Sequence, residues 1–233
     1  MTNKLYGTLQ VIYTEVPYEN EEEEKRAEEM NKEIAHLGFR TYRSALDWGY
    51  RLSDAFLKHA DSREDPAFKT GDLVKVFKTI ADGDLHWQGK IDYDRSEYHH
   101  GFQKGMDKGE WSRMFSYSLP AILKRDGKLI HGALDAFAET GTEGVIWSVH
   151  EYGKAGYEGL HCLQDGDELT VYTKVTNGDI EWEGELSFSE PGITKIADWR
   201  EALRTTKHMD SKKWLQLSYD NRPMVITPKP KLN

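Results

Sequence analysis

Residues 71–93, GDLVKVFKTIADGDLHWQGKIDY, are answered by residues 166–188, GDELTVYTKVTNGDIEWEGELSF, with the opening Gly-Asp, a central Gly-Asp, a Trp and the following Gly in register. The correspondence runs on: Met106-Asp107 and Trp111 match Met209-Asp210 and Trp214, and Ser116-Tyr117 match Ser218-Tyr219. Self-similarity at a fixed spacing reads as a duplicated unit, here of roughly 100 residues.

Within each run the hydrophobicity alternates. Leu85, Trp87, Gly89, Ile91 and Tyr93 oppose His86, Gln88, Lys90 and Asp92; Ile180, Trp182, Gly184, Leu186 and Phe188 oppose Glu181, Glu183, Glu185 and Ser187. That period belongs to a half-buried antiparallel strand. A second strand precedes each, at 73–79 and 169–175. The intervening Asp82-Gly83-Asp84 and Asn177-Gly178-Asp179 predict a β-hairpin in each copy. Asp107 and Asp210 then stand where they cap short helices bearing Trp111 and Trp214. Glu110 completes a capping box in the first, and Lys213 takes its place in the second. Strands at 119–123 and 224–227 close the two units.

Outside the repeats, residues 5–16 read as a strand. Asn20 with Glu23 resembles a capping box, and Glu21 to Glu24 fill a first turn where the helix dipole favours negative charge. Ala27, Met30, Ile34 and Leu37 follow at helical spacing, and Gly38 is a natural stop. Residues 43–60 read as a second helix capped by Ser44, and 61–70 as a linker. Residues 128–139 read as a helix, 145–149 as a strand, and the basic, Pro-rich end 227–233 as extended. The expected fold is α+β: two tandem copies of a small antiparallel SH3-like β-unit with short helices, plus a helical N-terminal segment. The segments are 1–65 (N-terminal strand and helices), 66–125 (first β repeat), 126–165 (connecting helix and strand) and 166–233 (second repeat and basic tail).

The 233 residues carry a net charge of −9, against wholesale binding to phosphate backbones, which requires several Lys and Arg. No apolar run reaches the roughly 18 residues of a membrane span, and no signal-peptide core follows Met1, so the expected location is cytoplasmic, with no membrane partner. The single Cys, Cys162, fits a reducing compartment, and reads as a small buried hydrophobe. Seven Trp, twelve Tyr and eight Phe are the compositional excess, suited to filling small β-cores and to contact surfaces.

The stretch from His100 to Phe115, together with Leu119-Pro120-Ala121-Ile122 and the Trp87-x-Gly89-x-Ile91 strand, resembles a group of small uncharacterised bacterial proteins. That group pairs a Trp-x-Gly-x-Ile strand with a Gly-hydrophobic-Asp-x-x-x-Trp-x-x-x-Phe helix. Residues 71–123 follow the pattern well. Residues 166–227 follow it poorly, with His208 where Gly105 stands and no Phe at helical spacing after Trp214. The resemblance implies a bacterial or phage origin and a fold unit; it implies no activity and no functional residues.

Two clusters are candidates for chemistry. Asp92, Asp94, Glu97, His99 and His100 gather carboxylates and imidazoles near a strand end, the ligand types of a divalent metal, although their spacing matches no established motif. A polar strand-end loop is the plainer reading, so no metal, cofactor or catalytic residue is assigned. Glu181, Glu183 and Glu185 form a row at about 6 to 7 Å spacing, since alternate strand residues advance by twice the rise. The row fits a basic partner, or else an exposed sheet face balanced by Lys174 and kept from edge aggregation. The expected function is a non-catalytic protein-binding accessory or inhibitor module whose partner-binding residues are Glu181, Glu183 and Glu185. The alternatives are a nucleic-acid or nucleotide-binding β-barrel protein and a metal-dependent hydrolase using the loop from Asp92 to His100.

Overall fold

The computed structural model describes residues 4–37, 40–58, 66–95, 101–138, 144–189, 192–197, 200–205, 207 and 210–230. The chain runs β1 (Leu5–Glu15), α1 (Glu21–Ile34), β2 (Ser44–Leu52), α2 (Ser53–Lys58), β3 (Leu73–Phe77) and β4 (Asp82–Lys90). It continues through β5 (Tyr93–Asp94), β6 (Phe102–Gln103), α3 (Lys108–Ser116), β7 (Pro120–Arg125), β8 (Lys128–Ala138), β9 (Val145–Glu151) and β10 (Leu160–Cys162). It ends with β11 (Glu168–Asn177), β12 (Ile180–Glu185), β13 (Thr194–Ala197), β14 (Arg200–Ala202), α4 (Ser211–Tyr219) and β15 (Pro223–Thr227). The fold is α+β and dominated by strand. One sheet has the order β12-β3-β15-β1-β2-β14-β13 and the other β10-β9-β8-β7-β11-β4, with β5 and β6 forming a small ribbon.

Neither predicted hairpin forms. β3 pairs with β12, and β4 pairs with β11, so each run lies antiparallel against the other rather than against itself. Lys78 N–H donates to Asp179 O (2.7 Å) and Ala81 N–H to Asn177 O (2.9 Å), which joins both ladders into one ribbon of 73–90 against 168–185. Each sheet therefore takes one strand from each run, and neither run pairs with itself. A two-residue I′ hairpin requires positive φ at its central residues, and neither Gly83 nor Gly178 has one. The glycines serve close approach instead: a Cβ on Gly83 would stand 2.1 Å from Lys174 O, and one on Gly178 2.0 Å from Thr79 O. The I′ geometry belongs to Asp126-Gly127 (φ 49° and 77°), which turns β7 into β8. Gly178→Ala and Gly83→Ala are each expected to cost about 1 to 3 kcal/mol through backbone displacement, read as a lowered urea midpoint. Wild-type midpoints in both would show that the crossing has room to spare.

Two helices expected from the pattern are strands. Ile130, Ala133, Leu134 and Phe137 fall at helical spacing, yet 128–138 is β8, a central strand whose middle, from Ile130 to Leu134, is covered on both faces. Ile130 and Leu134 enter one apolar cluster and Ala133 another. The expected helix at 43–60 is β2 followed by the short α2. Ala45 to Tyr50 are buried without a break because β2 lies inside its sheet, so no strand-like alternation is left to read.

Two large cores result, each centred on a helical Trp. Trp111 meets Trp87 and Trp147 at centroid distances of 6.2 and 6.1 Å, and Trp214 meets Trp182 and Trp48 at 5.5 and 6.2 Å. The third Trp of each trio, itself buried, bonds to a loop carbonyl: Trp147 Nε1 donates to Gly101 O (2.8 Å) and Trp48 Nε1 to Arg204 O (2.9 Å). Main-chain bonds recur in the same pairs. Gly71 N–H donates to Leu186 O (2.7 Å) as Gly166 N–H does to Ile91 O (2.8 Å), and Leu186 N–H donates to Asp72 O as Ile91 N–H does to Asp167 O. A smaller apolar cluster of Phe77, Ile80, Ala133, Tyr152 and Val175 joins the two sheets where the ribbon crosses.

Candidate partner-binding edge

Among the described residues β12 is the terminal strand of its sheet and is hydrogen-bonded on one side only, to β3. The ladder shifts register between Ile180 and Trp182, so Glu181 sits in a bulge. Trp182 faces the core and meets Trp214. Glu183 and Glu185 face outward, and pairing extends their rows across the sheet: Glu183 to Lys75, Val225 and Tyr6, and Glu185 to Leu73 and Thr227. Glu183, Lys75, Val225 and Tyr6 of the first row and Leu73 and Thr227 of the second, with Lys4, Phe77, Asn177 and Ile180, line a groove of about 330 Å³, and Glu185 stands beside it. Leu73 and Ile180 stand on its rim, each about half exposed.

The three glutamates are not equivalent. Glu181 turns toward α4, where Lys213 Nζ lies 2.5 Å from its Oε1. That hydrogen bond, reinforced by the charges of Lys213, Arg222 and Lys78 against the cost of burial, holds its carboxyl below the usual range. Glu183 pairs with Lys75 at 3.1 Å, and both remain substantially exposed, so that pair contributes little to stability. Glu185 is exposed. Lys174, expected to balance this row, lies on β11 beside β4, where it pairs with Asp84 (3.0 Å) and covers the ring of Tyr6.

The same bulge recurs in β4, where the ladder steps from Trp87 to Leu85 and His86 is skipped. Leu85 is turned out, against the alternation expected of it, and His86 is turned in beside Phe56. Glu110 Oε1 lies 3.2 Å from His86 Nε2 but outside hydrogen-bonding alignment. At matching places one half thus sets a His against a Glu from its helix, and the other a Glu against a Lys.

Burial lowers the His86 pKa; Glu110 opposes this and Arg113 adds to it. Burial also lowers that of His131, with Asp179 opposing. His131 Nδ1 accepts the Ile80 N–H (3.1 Å), a bond that protonation removes. Both folded values lie below the unfolded value of about 6.5, so the unfolded chain binds more protons and stability falls as pH drops through that value. Glu181 loses its contribution at lower pH still, as its carboxylate protonates. The melting temperature should therefore decline from pH 7.5 to 5.5, and His86→Gln with His131→Gln should flatten that limb. An equally steep limb in the double variant would assign the decline to other groups.

Of the metal candidates, Asp92 is exposed with Lys104 at 3.6 Å and Asp94 lies in β5, whereas Glu97, His99 and His100 fall outside the described residues. Among the described residues no group of three or more His, Cys, Asp and Glu is placed to hold a metal ion. Cys162, expected to be buried, is exposed on β10, a short strand ending its sheet, and His161 bonds to Glu151 (2.7 Å). No helix among the described residues is long and apolar enough to cross a membrane. Comparison with protein-family models, with curated proteins and with solved structures finds no match.

The groove was missed because its lining comes from five strands, β1, β3, β11, β12 and β15, and the link at Gly178, and β12 reaches the others through its pairing with β3. The exposed Leu73 and Ile180 are its sequence trace, and a hairpin reading places them in separate units.

Proposed function

We propose that this chain is a non-catalytic binding protein, built from a duplicated β-unit, that takes a basic extended segment of a partner protein onto the β12 edge and acts as that partner's accessory or inhibitor. The observation that carries it is a sheet-terminal strand whose outward side chains are Glu183 and Glu185, beside a groove rimmed by Leu73 and Ile180. An edge strand offers unpaired main-chain groups to an incoming strand, and alternate side chains of that strand then meet the groove. The carboxylates select sign. They repel acidic edges, including those of other copies of this chain, and favour a strand carrying Lys or Arg. The recurring main-chain bonds and the two Trp trios support the duplication.

A capped peptide alternating Lys with Val serves as probe, titrated by calorimetry. Binding should weaken with salt and fall at least tenfold in the Glu183→Lys/Glu185→Lys protein, whose fold is preserved because exposed strand positions usually shift stability by under about 0.5 kcal/mol. N-methylation of the peptide along one edge should abolish it. Unchanged affinity of both N-methylated registers would show plain charge attraction and sink the edge-pairing reading.

A further inference from the structure

We infer that α1 is a second docking surface, which receives the apolar face of a Lys- and Arg-rich amphipathic helix from another protein. The helix lies on an excursion between β1 and β2; in the other half of the molecule, β8 and β9 are joined by a short link instead. α1 buries none of its residues. Among the described residues its side-chain hydrogen bonds to the flanking chain are the Asn20 cap, whose Oδ1 accepts the Glu23 N–H (3.0 Å), the Glu23 carboxylate, which accepts the Glu19 N–H (3.3 Å), and a clip between Asn31 and Thr41, with the Thr41 N–H and hydroxyl donating to Asn31 Oδ1 and Asn31 Nδ2 donating to Thr41 O. An isolated helix of fewer than about 12 to 15 residues is marginal in water, and most helices are sustained by packing of an apolar face. Here that face exists and is only partly covered: Ala27 and Ile34 are half-buried and Met30 is 43% exposed, with Leu37 just past the helix at 57% and Tyr42 on the returning chain at 50%.

Tyr18, Ala27, Met30 and Tyr42 line an open groove of about 380 Å³ between the helix and the returning chain, with Glu23, Arg26 and Arg43 also in its lining; Arg43 is already paired with Glu19 and Glu201 at 2.7 Å each. The dimensions suit one or two large apolar side chains of a helix laid along it. Charge selects the occupant. α1 carries seven Glu against two Lys and one Arg, so a second copy would oppose like charge with like charge, whereas a basic helix is attracted. This surface shares no residue with the β12 edge, so either proposal can fail alone.

The probe is a capped 18-residue Leu/Lys peptide with Leu at helical spacing, titrated by fluorescence anisotropy and followed by hydrogen exchange of residues 21–37. Saturable binding should slow exchange there. Met30→Glu and Met30→Gln should each weaken binding at least tenfold, although Met30→Glu makes the surface more acidic. Equal or tighter binding by Met30→Glu would mean that charge alone attracts the peptide. Glu183→Lys/Glu185→Lys should leave affinity unchanged; loss there would place the peptide on the β12 edge. A concentration-dependent dimer that disappears in Met30→Gln would make a second copy the occupant and likewise overturn the inference.

Discussion

Replacing Trp214 by Ala is expected to cost about 3 to 5 kcal/mol, and Trp111→Ala about the same. Both side chains are fully buried, and each is the member of its trio that touches both others. Trp87 and Trp182 retain partial exposure, so their replacement should cost less. Because the ribbon binds the two sheets together, loss of either hub should lower one cooperative transition rather than melt half the molecule. Urea unfolding followed by both far-UV circular dichroism and Trp fluorescence tests this. Non-coincident transitions in Trp214→Ala would show that the halves unfold separately despite the exchange.

Arg222→Leu should be comparably severe, at about 3 to 5 kcal/mol, because it leaves Asp220 charged and buried. The pair lies 3.0 Å apart with side-chain exposures of 3% and 0%. Asp220 also accepts from Gly153 N–H and Gln216 Nε2, while Arg222 donates to Lys78 O and lies over the Tyr152 ring. After α3 the structure moves the match one residue from the sequence correspondence of Ser116-Tyr117 with Ser218-Tyr219: Tyr117 and Asp220 are the C-caps of α3 and α4, and Leu119 answers Arg222, since Leu134 N–H donates to Leu119 O as Leu9 N–H does to Arg222 O. An apolar solution to this turn is therefore already present in the chain. Asp220→Tyr with Arg222→Leu should recover most of what the single change loses. Equal instability of the single and double variants would mean that Arg222 acts chiefly through Lys78 and Tyr152.

Local signals were legible wherever one face of an element meets solvent. The Asp107 and Asp210 caps of α3 and α4, the Asn20 cap of α1, the strand at β1 and the alternation through Trp182 and Gly184 belong to this class. Burial on both sides erased the signal in β2 and β8, since an element covered all round has no polar phase to display its period. The hairpins failed for another reason. Asp82-Gly83 and Asn177-Gly178 suit a turn or a close crossing equally well, and two runs of like pattern can satisfy the same ladders internally or reciprocally. Of the acidic row, Glu183 and Glu185 stand where alternation puts them; Glu181 does not, because a bulge adds a residue that pattern reading cannot count. The metal-ligand cluster reads from sequence as one loop, of which the structure describes only Asp92 and Asp94.

The exchanged ribbon also bears on how the protein is made. A chain emerging from the ribosome as far as β9 already carries β3 and β4, but their partners in β11 and β12 are still unsynthesised. α3 by then has Trp87 and Trp147 to pack against, while Leu169 and Val171 of the same core are missing. The first half must therefore wait with open strand edges and apolar surface, a state prone to pairing with the first half of a neighbouring nascent chain. Once β15 is released, completing the partner ladders within one molecule has a concentration advantage over doing so between two. The acidic excess of the chain then acts before any folded surface exists, by keeping the waiting halves of different molecules apart.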